Sequence, residues 1–388
     1  MVITSRGRLA AAFSPLSTPP PRPRYTTLMP HTSPRRGPSR ARLLLLAVLA
    51  LALLIALAAR FGPALLARRA APAAPWFARG ASFAPYVDVT LPPTFAFDAD
   101  DDALPDNVVL SFVVADPADP CRPTWGGRYG LDAAGDGLDL DGRVERLRAR
   151  GGDIAIAFGG ATGAELATAC ADADALAAAY QAVIDRYAPR LLDFDVEGRA
   201  LADRAANARR AAALARLQAD NDDLAVWLTV PVAPQGLTAE GVALLDDTLA
   251  AGVELGGLNL MLMNYAGSRP AGMSMADANA AALSAAADQL ADALRRAGDG
   301  RDEAAVWQLL GATPMIGQND VAGDRLTLDD AAALVALAHE RGLGRLAFWS
   351  LNRDRPCPPG TDVSRAQSTC SGVEQEPLQF TILFAAAP

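Results

Sequence analysis

The stretch LLDFDVEG, residues 191–198, sets Asp193, Asp195 and Glu197 at every second position of an otherwise apolar run. Period-two spacing belongs to a β-strand, so the three acids share one face while Leu192, Phe194 and Val196 share the other. The flanking chain extends this into a fold. From about residue 80 it repeats a short apolar strand, a polar or glycine-rich loop and an Ala/Leu-rich helix, with candidate strands at 86–90, 108–115, 153–159, 191–197, 224–232, 258–265, 306–313 and 345–351. Helical stretches such as ATGAELATACADADALAAAYQAVIDRYA (161–188) and TLDDAAALVALAHERG (327–342) lie between them. Eight β/α units fit an α/β fold of the (β/α)8 TIM-barrel type better than an open doubly wound sheet, and no GxGxxG or GxxxxGK[ST] phosphate loop is present.

In a barrel, alternate side chains of each strand point inward, so the three acids face the axis. Glu197, followed at once by Gly198, falls at the carboxyl end of its strand, where barrel active sites are built. Three inward carboxylates this close cannot all ionise cheaply, so at least one proton is retained at neutral pH. An outer acid that keeps its proton is what a general acid needs.

Charge divides the 388-residue chain unevenly. Residues 1–87 hold twelve Arg and no acid, whereas the remainder sets 23 Arg against 44 acids, which argues against nucleic acid as a partner. Residues 1–42 read as a basic, Pro-rich cytoplasmic tail, and 43–59 (LLLLAVLALALLIALAA) as a single transmembrane signal anchor of near-minimal length. Residues 60–79 follow as a linker, and 80–388 as the barrel on the outer face of the cell membrane. The competing reading is a signal helix cleaved near ARRAAPAAPW, with a secreted product.

Cys121, Cys170, Cys357 and Cys370 all lie on the exported side, and their even number fits disulfides in an oxidising compartment. Of three possible pairings, Cys357 with Cys370 is favoured because PPGTDVSRAQST between them reads as a loop; Cys121 with Cys170 follows. The two histidines, His31 and His339, and the lack of a CxxC pair leave no metal site and imply no cofactor.

LLDFDVEG resembles the second half of the DxxDxDxE signature of glycoside hydrolase family 18, the chitinases and related endo-N-acetylglucosaminidases. AFGG (157–160) is similar to the family's SxGG, MNY (263–265) to its MxY, and FWSLNRD (348–354) to the segment carrying its strand-eight tryptophan. TPMIGQND and WSLNRDRPC look like compact bacterial chitinases. The resemblance covers nearly all of 80–388 and implies cleavage of β-1,4-linked N-acetylglucosamine polymers by substrate-assisted retaining catalysis. It implies Glu197 as acid and base, Asp195 orienting the substrate's 2-acetamido group, Asp193 sharing a proton with Asp195, and Tyr265 donating to the acetamido oxygen. Trp349 would form the sugar floor. Met263, Gly159 and Gly160 would line the site, and Trp125 in CRPTWGG would be either a further sugar platform or part of a stapled structural loop. Two positions depart from the pattern. Arg190 stands at the first acidic position and Ala157 at the serine of SxGG, for which Ser111 is a candidate replacement donor. Other readings on the same fold are a non-hydrolytic chitin- or glycan-binding lectin and an endo-N-acetylglucosaminidase acting on N-glycans; retention of Glu197 favours the enzyme.

Overall fold

Eight parallel strands close a ring in the computed structural model, which describes residues 82–386. The first, β1, is made of Ser82–Phe83 and Tyr86–Asp88; then come β2 (Asn107–Ala115), β3 (Asp153–Gly159), β4 (Leu191–Asp195), β5 (Ala225–Ala233), β6 (Leu255–Leu262), β7 (Leu310–Pro314) and β8 (Arg345–Leu346). Each pairs in parallel with the next, and β8 pairs with the first half of β1, so the sheet has no open edge along the ring. The barrel expected from the strand count is therefore the fold. Residues 1–42, 43–59 and 60–79, with the tail, anchor and linker assigned to them, lie outside the described residues. Among the described residues no helix is long and apolar enough to cross a membrane.

β1 and β6 start earlier and end earlier than the sequence reading has them, and three more strands differ in ways with a physical cause. β4 ends at Asp195, two residues early, because Glu197 takes the N-cap position of a short helix, Gly198–Ala202. The run expected at 306–313 is divided: Asp302 caps a helix, Glu303–Gln308, through the Ala305 N–H, and the strand begins only at Leu310. A short apolar run fits strand and helix equally well, and here the cap decides. β8 is short by its regular span, yet Ala347 N–H to Ala312 and Trp349 N–H to Pro314 carry the pairing to the barrel mouth.

Two apolar layers follow from the alternation. Phe158 and Phe194 point outward and stack with ring centroids 5.1 Å apart, with Tyr180 of the helix Ala173–Tyr187 edge-on to both. Inside the ring, Ala84, Ala155, Ala157 and Ala347 leave room for Tyr86 and Trp227. The Trp227 ring also needs glycine opposite it, since a Cβ on Gly257 would lie 2.5 Å from the indole. At the mouth, Cys121 is bonded to Cys170 and Cys357 to Cys370, the pairings favoured from sequence.

Gly257→Ala forces Trp227 to shift in a filled barrel and lowers unfolding stability by about 1–3 kcal/mol. Gly267→Ala, where nothing lies within 4 Å of the new Cβ, stays within about 0.5 kcal/mol of wild type in the same urea titration.

Candidate active site

Asp193 lies deepest, fully buried, and both of its oxygens are taken. Oδ1 accepts from Thr229 Oγ1 at 2.7 Å and Arg345 Nη1 at 2.9 Å, and Oδ2 accepts from the Tyr86 hydroxyl at 2.7 Å. Asn259 Nδ2 donates to both Tyr86 and Thr229, and Thr313 donates to Asn259, so the network joins β1, β4, β5, β6, β7 and β8. Two expectations are affected. Asp193 makes its hydrogen bonds to Arg345, Thr229 and Tyr86 rather than to Asp195. Ser111 does not replace the missing serine of AFGG, since its hydroxyl donates to the Val87 carbonyl. The cation facing Asp193 is Arg345 of β8.

One turn nearer the mouth, Asp195 is 5% exposed and its Oδ1 is buried without a hydrogen-bond partner. Burial, then the charge of Glu197, then that of Asp193, raise its pKa well above the usual carboxylate range. Glu197 caps nothing with its side chain, which leaves the carboxyl free for the cavity. Its pKa is raised by burial first and then by the charge of Asp320. Asp320 is held by Asn264, whose Nδ2 donates to Asp320 Oδ2 at 2.9 Å while its Oδ1 accepts the Asp320 N–H at 3.0 Å.

Asp195, Glu197 and Asp320 line one cavity of about 560 Å³, with Trp349, Met263 and Phe112 among its walls. Phe112 and Trp349 stack at 5.4 Å and 24°, and Tyr86 lies beside Trp349 at 6.3 Å. An apolar aromatic floor below two protonatable carboxyls is suited to hold a sugar ring and protonate an oxygen on it.

Four residues expected in the site lie elsewhere. Tyr265 is buried away from the cavity and its hydroxyl donates to Asn279 on the helix Met275–Arg296 at 2.8 Å. Inward register on β6 runs through Asn259 and Met261, and Asn264 with φ +55° ends that alternation before Tyr265. Trp125 is wholly buried, with its indole N–H on the Tyr187 hydroxyl, and is the structural alternative rather than a platform. Gly159 and Gly160 do not line the cavity. A Cβ on Gly159 would fall 2.1 Å from the Asp195 carbonyl and one on Gly160 2.9 Å from the Phe112 ring, so both glycines let the backbone close behind the site. Sequence reasoning missed Arg345, Tyr86, Thr229, Asn259 and Asp320. Thr229 had a signal, since it stands level with Asp195 on the neighbouring strand.

No protein-family model matches the chain. It is 36% identical over 311 residues to a probable bifunctional chitinase/lysozyme of Escherichia coli (strain K12), covering 78% of this chain and 34% of that protein. It is 34% identical over 283 residues to endochitinase 11 of Metarhizium anisopliae, covering 71% of this chain and 52% of the relative. The catalytic domain of the hyperthermophilic chitinase from Pyrococcus furiosus superposes with a TM-score of 0.68 at 27% identity, covering 78% of this chain and 93% of that domain. The barrel is similar in sequence and fold to these chitinases. The chain spans between a third and a little over half of the length of the two curated relatives it matches. Within the barrel, Asp195 ends β4, Glu197 caps the helix that follows, and Trp349 stands just past β8.

Arg345→Met leaves Asp193 buried and without its cation, and costs about 3–5 kcal/mol in urea unfolding; adding Asp193→Asn recovers a measurable part of that loss. Asp195 gives a pH signature of its own. Its native pKa exceeds the unfolded value, so its favourable contribution is complete below the ordinary carboxylate range and is lost as pH rises towards the native pKa. Melting temperatures from pH 4 to 8 therefore fall for wild type relative to Asp195→Asn as pH increases.

Proposed function

We propose that the domain hydrolyses β-1,4-linked N-acetylglucosamine polymers with retention, using the substrate's own acetamido group as nucleophile. One observation carries this reading: Asp195 and Glu197, both with raised pKa, open into the cavity floored by Trp349. The pair holds one proton between them. With substrate bound, Glu197 gives that proton to the glycosidic oxygen while the acetamido carbonyl oxygen attacks the anomeric carbon, forming an oxazolinium ring and releasing the leaving sugar. Asp195, then a carboxylate, accepts from the acetamido N–H and balances the positive charge of the ring. Glu197 next takes a proton from water as the water opens the ring, restoring the acid.

Asp193, bonded to Arg345, Thr229 and Tyr86, takes no direct part in this scheme. Tyr265 takes no part, as its hydroxyl is committed to Asn279. In the same reading residues 43–59 anchor the chain and the domain acts outside the membrane, which the two disulfides support.

Glu197→Gln keeps size and hydrogen bonding but removes the transferable proton, so turnover of chito-oligosaccharides falls by at least about 10²-fold while binding survives. Wild-type turnover in that variant excludes the assigned role. Fully deacetylated chitosan is cleaved poorly or not at all, and ordinary cleavage of it, read by product mass, excludes the acetamido nucleophile.

A further inference from the structure

Beyond residue 87 the chain sets 23 Arg and no Lys against 44 acids, a net charge of −21, compared with −9 for the whole chain. Of these acids only Glu165, Asp193, Asp195, Asp324 and Asp354 are buried, so the excess lies at the surface. It also reaches the catalytic cleft. Among the described residues that line the first cavity, Asp195, Glu197 and Asp320 are acids and none is a cation. The recess beside it adds Asp88, and its one guanidinium, Arg353, already donates to the carbonyls of Ile316, Gln318 and Gln367. A neutral polymer gains nothing from such a field, whereas a cationic one is drawn to it.

The reaction proposed above makes a demand on one sugar only. Its nucleophile is the acetamido group of the sugar held by Asp195 and Glu197, and the neighbours along the polymer take no part in making or breaking bonds. A neighbour that has lost its acyl group carries an ammonium at mildly acidic pH. Each such group brings a positive charge towards an acidic barrel whose cleft has no free cation to repel it. From this we infer that the preferred substrate is a partially N-deacetylated, and hence cationic, form of the N-acetylglucosamine polymer, drawn to the cleft by charge and cut only where an acetylated sugar reaches Asp195 and Glu197. The inference rests on the hydrolytic reading above and adds the charge class of the substrate to it. The reaction that supplies this substrate is an N-deacetylation. Fully deacetylated polymer is bound by the same field without being cut.

Kinetics of the full chain at about pH 5.5, where surface carboxylates are ionised and the sugar amine is protonated, test this across salt from about 10 mM to about 0.5 M. The substrates are a soluble, half-deacetylated pool of chito-oligosaccharides and the same pool after chemical re-acetylation. At low salt kcat/KM, counted per acetylated sugar, is at least about tenfold higher for the cationic pool, through KM, and the advantage vanishes at high salt as the field is screened. The re-acetylated pool changes by less than about twofold over the same range. Fully deacetylated oligosaccharide inhibits at low salt and not at high salt. Asp88→Asn keeps the acceptor for the Thr90 N–H while removing one charge from the rim, so it lowers the low-salt advantage by about two- to fivefold and leaves the neutral pool unaffected. An equal salt response of the two pools, or no low-salt advantage of the cationic one, overturns the inference and leaves the hydrolytic reading standing. Cleavage of neither pool overturns both.

Discussion

The ion pair between Asp193 and Arg345, both with no exposed side-chain surface, is the constraint around which the barrel interior is arranged. Taking two charges out of water costs several kcal/mol each, and a pair offsets that only when the remaining lone pairs are satisfied. Here Thr229 and Tyr86 complete the carboxylate, Asn259 and Thr313 hold those two in turn, and the guanidinium lies over the rings of Tyr86 and Trp227 at 5.5 and 5.4 Å. Alanines on β1, β3 and β8 make the space. A serine at 157 is unnecessary because the tyrosine hydroxyl already serves the aspartate.

Above this buried pair stand the two acids of the cavity. Burial first, then the charge of Glu197 and then that of Asp193 raise the pKa of Asp195. Asp320 acts on Glu197 from the opposite wall, and its placement depends on Asn264, whose left-handed conformation turns the chain away at the end of β6. The same turn removes Tyr265 from the cavity. Acid placement and tyrosine loss are two results of one backbone bend.

Local pattern carried most of the fold. Strict alternation in LLDFDVEG located the acids, and strand periodicity located β2, β3 and β5 to within a residue of their ends. What pattern did not carry was anything depending on a partner far along the chain. Arg345 lies 152 residues from Asp193, on a strand whose regular span is two residues, too short to show parity. Tyr265 looked correct by motif, and only the φ of Asn264 reveals that the alternation had ended. Gly159 and Gly160 were taken for wall residues because the motif contains them, whereas their role is steric, against Asp195 and Phe112.

The disulfides complete the division of labour between base and mouth. At the base, hydrogen bonds and the ion pair reach across six strands and need no covalent help. The mouth is built from loops with few ladder bonds, and there Cys121–Cys170 ties the loop after β2 to the loop after β3, while Cys357–Cys370 closes the segment after β8. Cross-links in such places act chiefly by restricting the unfolded chain. In the second case the closed segment also contains Gln367, whose carbonyl accepts from the buried Arg353, so the staple and the cation hold the same loop.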